Sequence, residues 1–358
     1  MHLIFSQFTE LLQVFLLAFV SLFCFRKVAQ RVGLVDSPNG RKKHKGYIPL
    51  VGGLAICTTL TSFLIKYPEV MPSSQTFLFC IIALTTIGVM DDKWDISYKF
   101  RLIIQVALAL VMIFGAGLQM KTIGNILLFG SINLGWLSTL VTIIAVIAAI
   151  NAFNMVDGID GLLGGLSIVT FGSLAIIMAM ADAPKLSFLC VVILVAILPY
   201  IAMNLGLLGR RRRVFMGDAG SMLIGFTVIW VLLISTQEAD SRVIRPVTAL
   251  WLIAVPLMDM MAIMFRRIRR GDSPFKPDRE HLHHIFQRLG LSPRQTLSAI
   301  CFISLGYASF GILGELARIP EAIMFVLFIF AFAIYAIFLS YVWVITTSIR
   351  RWRHKDKD

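Results

Sequence analysis

Residues 217–235 read GDAGSMLIGFTVIWVLLIS and hold one ionisable side chain, Asp218, near the start. The hydrocarbon layer of a membrane is about 30 Å thick, and a helix of roughly 20 apolar residues crosses it. This stretch therefore predicts a transmembrane helix that begins with a carboxylate at one face of the membrane. An ionisable group at such a place is expected to serve a function.

Similar apolar runs recur along the whole chain of 358 residues, which is 58% hydrophobic and 15% charged and has a mean hydropathy of +0.84. That composition is typical of a polytopic membrane protein. We predict an all-α integral membrane protein, a single polytopic domain over residues 1–358, with about eleven transmembrane helices. The predicted spans are 7–25, 47–66, 74–91, 100–119, 136–153, 161–181, 187–208, 217–235, 247–265, 296–315 and 320–346.

The basic residues predict how these spans are oriented. Lysine and arginine collect in alternate loops and in the C-terminal tail, so that 27 of the 33 lie on one side of the predicted membrane. Cytoplasmic loops carry this excess. We predict a periplasmic N-terminus, a cytoplasmic C-terminus and an active face made by the cytoplasmic loops 26–46, 91–100, 154–161, 209–218 and 266–295. The net charge of +13 thus indicates topology and contact with membrane lipid, and we expect no nucleic acid partner.

Acidic residues are scarce, and several of them lie at the predicted cytoplasmic ends of the spans. Three motifs hold them: VMDDKWD at 89–95, NAFNMVDGIDGLLGG at 151–165 and VFMGDAGS at 214–221. Spacings of three and four residues place side chains on one face of a helix. Carboxylates that converge repel one another unless a cation lies between them. Mg²⁺ prefers oxygen ligands of this kind and usually also binds substrate phosphates. The motifs therefore predict Mg²⁺-dependent phosphoryl or pyrophosphate chemistry.

Each motif also has a structural interpretation. The first alone is compatible with a solvated loop and the second with a tight, packed turn, whereas three together favour a site. For Asp95 and Asp160, a helix cap or an ion pair with Lys93 or Arg101 is an equal alternative. Asp259 lies two helical turns before Arg266, so a helix-packing ion pair is as good an interpretation as ligand contact, and we leave it outside the active site.

The longest cytoplasmic loop, 266–295, contains the motif HLHH at 281–284. Histidine can donate hydrogen bonds to phosphate oxygens or carry protons near neutral pH. A zinc site is a weaker interpretation, because neither a cysteine pair nor an H-E-x-x-H pattern accompanies these residues. Simple solvated histidines are the third alternative.

In this order, DDKWD, NAFNMVDGIDG, VFMGDAGS and HLHH resemble the polyprenyl-phosphate N-acetylhexosamine-1-phosphate transferase superfamily over essentially the whole chain. PNGRKKHKGYIPLVGG (38–53) and RVFMGDAGSMLIGFTVIW (213–230) resemble the bacterial enzymes of that superfamily that use N-acetylglucosamine. The member that handles UDP-MurNAc-pentapeptide has similar aspartates but differs at HLHH and IPLVGG.

The resemblance implies transfer of N-acetylglucosamine 1-phosphate from UDP-GlcNAc to undecaprenyl phosphate at the cytoplasmic face of the bacterial inner membrane. The products would be undecaprenyl-pyrophosphoryl-GlcNAc and UMP, in the first step of lipid-linked O-antigen and enterobacterial common antigen synthesis. Mg²⁺ is the implied cofactor, with Mn²⁺ as a substitute, and small residues in the spans are compatible with a homodimer. The alternatives are another UDP-N-acetylhexosamine donor, or a polytopic transporter, although no internal repeat is evident.

The resemblance also implies roles for individual residues. It makes Asp91, Asp92 and Asp157 catalytic, with Asp91 as a candidate general base, and it makes Asp218 the central metal ligand with Asp91 and Asp92. The implied substrate contacts come from Asn154, Asp160, Asn204, Phe215, His281, His283, His284 and one of His44 or Lys45.

Overall fold

The computed structural model describes residues 2–36, 46–237, 243–273 and 281–355, and within these ranges the chain is almost entirely helical. The helices are α1 (His2–Val32), α2 (Gly52–Lys66), α3 (Ser74–Trp94), α4 (Tyr98–Ala116), α5 (Ser138–Met155), α6 (Leu162–Met180), α7 (Pro184–Asn204), α8 (Gly217–Gln237), α9 (Pro246–Leu252), α10 (Ala254–Arg269), α11 (Leu282–Arg288), α12 (Pro293–Leu316) and α13 (Glu321–Lys355). One short antiparallel ribbon pairs β1 (Val35–Asp36) with β2 (Ile48–Pro49). The predicted helical class is confirmed.

Nine of the described helices, α1, α3 to α8, α12 and α13, are long and apolar enough to cross a membrane. The pair α9 and α10 qualifies only as a broken unit, and α2 is apolar but shorter, with 15 residues. Each of the eleven predicted spans coincides with one of these helices or with the broken pair. The chain is therefore a multi-pass membrane protein.

The predicted span 247–265 is not a single helix. It breaks at Ile253, and the two halves are bent by 82°. Pro256 explains the break, because its ring would clash with the carbonyl of Leu252 if the helix were continuous. The predicted span is thus present as two short helices, and the second, α10, precedes the loop that carries the histidines.

Helix α8 is the centre of the molecule, and all of its residues after Asp218 are buried. Its sequence is apolar on every face, as a fully enclosed helix requires. Glycine brings its neighbours close: a Cβ at Gly88 of α3 would lie 2.2 Å from Ala219 Cα, and one at Gly53 of α2 would lie 2.3 Å from the Gly220 nitrogen. The start of α8 is therefore clamped between α2 and α3.

Contacts between helix ends show that alternate loops lie at opposite ends of the bundle. At one end, the last turns of α3 and α5 meet the first turn of α8. At the other end, Lys66 pairs with Glu10, Gln237 accepts the Lys121 N–H, and Arg245 pairs with Glu315. All three acidic motifs fall at the first end.

Candidate active site

Asp218 occupies the first turn of α8, and the neighbouring helix α3 fixes it there. One Asp92 oxygen accepts the Asp218 backbone N–H at 2.8 Å, and the other accepts the Ala219 N–H at 3.3 Å. These amides have no partner within their own helix, so Asp92 acts as a cap supplied from another helix. Gly217 makes this contact possible, since it has φ +74° and its Cβ position lies 2.4 Å from Asp92 Oδ2. Both Asp92 oxygens are therefore engaged in holding Asp218.

Asn154, in the last turn of α5, contacts Asp218 directly. Its Nδ2 donates to Asp218 Oδ1 at 2.6 Å and to Ser221 Oγ at 2.8 Å. The Asp218 side chain is nevertheless 36% exposed. The structure thus brings the second and third acidic motifs together and leaves the Asp218 carboxylate accessible.

The Arg101 side chain brings a positive charge to this site, and the sequence did not single it out as a site residue. Its Nη1 lies 2.6 Å from Asp91 Oδ2 and 3.6 Å from Asp218 Oδ2. Asp91 also accepts the Ile96 N–H at 2.8 Å and is buried. Asp95 is the C-cap of α3, with φ 50°, which creates the tight turn that returns Arg101 to Asp91. Asp95 therefore caps α3. Arg101, which the sequence offered as an ion-pair partner for Asp95, pairs with Asp91 instead.

Asp157 follows α5 and differs from the other acids, because its carboxylate accepts no hydrogen bond from any described residue. Burial raises its pKa to about 7, and the negative charges of Asp218 and Asp160 add to that effect. A carboxylate with a pKa near the working pH is suited to accepting a proton. Among the acids of this end, Asp157 has the environment expected of a general base.

Asp160 and Asn204 connect the acidic loops to one another. Asp160 forms an ion pair with Arg213, one of four consecutive arginines for which the sequence is compatible with a topology signal or with contact to an anionic nucleotide. The Asn204 amide is buried, accepts the Gly161 N–H at 2.5 Å and donates to the Val214 carbonyl at 2.9 Å. The polar atoms of Asn204 are thus occupied in joining the loop after α5 to the loop before α8.

The segment that follows the first basic loop also reaches the site. Phe215 donates its N–H to the Pro49 carbonyl at 2.8 Å and accepts the Val51 and Gly52 amides at 3.1 and 3.0 Å. Phe215 is half-buried and precedes Asp218 by three positions in the sequence. His44 and Lys45 lie outside the described residues, so their predicted phosphate contact remains a prediction.

The histidine motif packs against the loop after α5. His283 is 3% exposed and lies so close to Gly158 that a Cβ there would be 2.2 Å from His283 Nε2. That nitrogen has no hydrogen-bond partner among the described residues. Burial lowers the His283 pKa to about 3, with the neighbouring His284 adding to the effect, so the ring is neutral at physiological pH. The packing brings the histidine motif next to the loop that carries Asp157.

His281 and His284 flank this ring. The His281 and His283 rings are nearly parallel, with centroids 5.7 Å apart, and the His283 and His284 centroids are 4.2 Å apart. His281 Nδ1 is bonded to Asp259, at 2.8 Å. Asp259 therefore serves the histidine motif, a role that neither of its two sequence interpretations described.

The donor set fits a Mg²⁺ ion whose coordination is completed by substrate. Within the described ranges, no three His, Cys, Asp or Glu residues form a group able to hold a metal by themselves. Mg²⁺ keeps several waters and is usually bound through one or two carboxylates together with substrate phosphates. The exposed Asp218 carboxylate meets that requirement, whereas Asp91 and Asp92 are engaged with Arg101 and with backbone amides.

Comparison with known proteins agrees with this geometry. The sequence model of glycosyl transferase family 4 matches residues 74–236, which include the three acidic motifs. Undecaprenyl-phosphate alpha-N-acetylglucosaminyl 1-phosphate transferase of Yersinia pestis is 46% identical over 349 residues, covering 97% of this chain and 95% of that protein. The proteins of the same name from Escherichia coli K12 and Pasteurella multocida are each 47% identical, covering 96% and 97% of this chain and 94% and 98% of their own lengths. With this identity along nearly its entire length, the chain belongs to glycosyl transferase family 4.

Proposed function

We propose that this protein transfers N-acetylglucosamine 1-phosphate from UDP-GlcNAc to undecaprenyl phosphate. The observation that carries the proposal is the convergence of the three acidic motifs around Asp218, with the histidine motif packed against Gly158, in a chain 46–47% identical to transferases named for that sugar and that lipid. Another UDP-N-acetylhexosamine is the alternative donor, because the chemistry at the phosphates would be the same.

The proposed reaction forms one bond and breaks one. An oxygen of the lipid phosphate attacks the β-phosphorus of UDP-GlcNAc, a new P–O bond forms, the bond to the bridging oxygen breaks, and UMP leaves. Asp157 takes the remaining proton of the lipid phosphate, because no described residue donates a hydrogen bond to its carboxylate and burial raises its pKa to about 7. Arg101 faces the same centre and stabilises negative charge on the phosphates.

We further propose Mg²⁺ as cofactor, held by Asp218, with Mn²⁺ able to substitute. The ion would supply charge neutralisation at the pyrophosphate. In this arrangement Asp92 and Asn154 orient the metal-binding carboxylate, and Asp91 positions Arg101. The histidine motif is placed to meet the donor, since His283 touches the Gly158 turn beside Asp157.

The proposed setting is the bacterial inner membrane, with eleven spans, a periplasmic N-terminus and the active face in the cytoplasm. The excess of basic residues supports this orientation, because the loops that carry it belong to the bundle end that holds the acidic motifs. A nucleotide sugar is a cytoplasmic substrate, and an active face on that side gives it direct access.

The test uses UDP-GlcNAc labelled at the β-phosphate. Purified protein, undecaprenyl phosphate and Mg²⁺ should move the label into the lipid phase and release unlabelled UMP in equal amount. Label retained in UDP would show that the sugar moves without its phosphate and would refute the proposal. Turnover with a different UDP-N-acetylhexosamine alone would keep the chemistry and replace the donor.

A further inference from the structure

Asp259, in α10, is a buried acid that the proposed reaction does not use. It is 1% exposed, and it accepts three hydrogen bonds, two from the start of α11 and one from α13. Oδ2 lies 2.8 Å from His281 Nδ1, while Oδ1 accepts the Leu282 N–H at 3.1 Å and the Tyr335 hydroxyl at 2.8 Å. A carboxylate buried at this depth persists only when its oxygens are satisfied in this way.

The three donors explain why a carboxylate stands here. An ionised carboxylate only accepts hydrogen bonds, so the partner nitrogen of His281 must carry a proton. Such a contact selects the tautomer of a neutral imidazole and fixes the plane of its ring. An asparagine could not reproduce the arrangement, because its NH₂ group would face one of three donors.

The orientation of His281 is transmitted to the site through its neighbour. Its ring lies parallel to the His283 ring within 8°. His283 in turn covers Gly158, next to Asp157. A contiguous series of contacts therefore runs from Tyr335 in α13 through Asp259 and the histidines to the acidic loop after α5.

We propose that Asp259 and Tyr335 are positioning residues for the donor substrate: they set the tautomer and the ring plane of His281 and thereby hold the histidine motif against the Gly158 turn. The inference rests on the proposed function for its substrate, UDP-GlcNAc, but its structural part concerns only this chain. Tyr335 stabilises the arrangement from α13, through its hydrogen bond to Asp259.

The first experiment reads the tautomer directly. The chain has six histidines, so ¹⁵N spectra of histidine-labelled protein in lipid nanodiscs are tractable, and His281→Gln identifies the signal of His281. Wild-type protein should show His281 protonated at Nδ1. Asp259→Asn should shift the signal towards the Nε2-protonated form, and Tyr335→Phe should give a smaller change of the same sign. Tyr341→Phe, an exposed position further along α13, is the matched control and should leave the spectrum unchanged.

The second experiment separates positioning from general damage. Asp259→Asn should raise the KM for UDP-GlcNAc about tenfold, as loss of a partner that orients a ligand-binding histidine does, and should leave the KM for undecaprenyl phosphate within about twofold. An unchanged tautomer in Asp259→Asn, or a changed tautomer with an unchanged donor KM, would overturn the proposal. A wild-type protein that turns over no UDP-sugar would instead refute the proposed function, while the nitrogen spectra would still decide whether Asp259 sets the tautomer.

Discussion

At the scale of single residues, Asp218 is defined by what its neighbours do with their own charges. Asn154 donates to one of its oxygens, and Arg101 lies 3.6 Å from the other. The Asp92 carboxylate accepts hydrogen bonds from the backbone N–H groups of Asp218 and Ala219. Acids that lie next to each other in the site thus have different functions, since environment and not residue type sets what a carboxylate does.

Gly158, next to Asp157, provides the sharpest prediction at this scale. Gly158→Ala places a methyl group where the His283 ring lies, within 2.2 Å of Nε2, so the histidine motif must shift. A displacement of about 1 Å in a substrate-positioning group can lower turnover 100-fold. We expect kcat/KM for UDP-GlcNAc to fall about 10- to 100-fold.

The control for this substitution is Gly172→Ala in α6, where a Cβ meets nothing within 4 Å. Its kcat/KM should match that of the wild type. Equal activity of Gly158→Ala and Gly172→Ala would show that the histidine motif need not contact the Gly158 turn.

The acidic residues could be predicted from sequence, but their partners could not. Carboxylates stand out in an apolar chain, because an ionisable side chain near the membrane interior costs free energy and is usually retained only for a function. The sequence offers Arg101 as an ion-pair partner for Asp95 or Asp160, and only the tight turn at Asp95 reveals that it returns to Asp91. Asp259 and His281 are 22 residues apart in the sequence, and no local spacing rule connects them.

At the scale of helices, packing of α8 decides where the site residues stand. The positions of most helices follow from the length of the apolar runs in the sequence, which is why the predicted spans coincide with them. Close approach at particular glycines is a tertiary property, and the sequence alone did not indicate that Gly53 and Gly88 face the start of α8. The break at Ile253 had a visible signal in Pro256, but a run of apolar residues outweighed it in the prediction.

Gly88→Ala tests this packing. The new methyl group would lie 2.2 Å from Ala219 Cα, and backbone cannot yield as a flexible side chain can. Overpacking of this kind costs about 1–3 kcal/mol. We expect a lower midpoint of thermal unfolding in detergent, together with reduced activity, because α8 carries Asp218.

Gly306→Ala in α12 is the matched control, since its Cβ meets open space. Alanine favours a helix over glycine by up to about 1 kcal/mol, so this variant should unfold at the same temperature as the wild type or slightly higher. A Gly88→Ala protein as stable as Gly306→Ala would contradict the close contact between α3 and α8.

At the scale of the whole molecule, all of the site loops are expected to face the cytoplasm. In a cysteine-free variant, Lys99→Cys lies at the site end and Ser131→Cys at the opposite end, and both positions are exposed. A membrane-impermeant maleimide added to cells with a permeable outer membrane should label Ser131→Cys alone. Lys99→Cys should react only after the inner membrane is opened, and the reverse pattern would invert the proposed topology.

The most direct test of the central claim is the metal dependence of UMP release by wild-type protein, Asp218→Asn and Asp182→Asn. Asp182 lies in the turn between α6 and α7, at the opposite end of the bundle, and serves as a matched control. We predict that release requires Mg²⁺, that Asp182→Asn behaves as wild type, and that Asp218→Asn is slower by about 100-fold or more, because a metal ligand contributes several kcal/mol to stabilising phosphoryl transfer. Release without a divalent ion, or a wild-type rate and metal response in Asp218→Asn, would contradict the assignment of Asp218 as the centre of the active site.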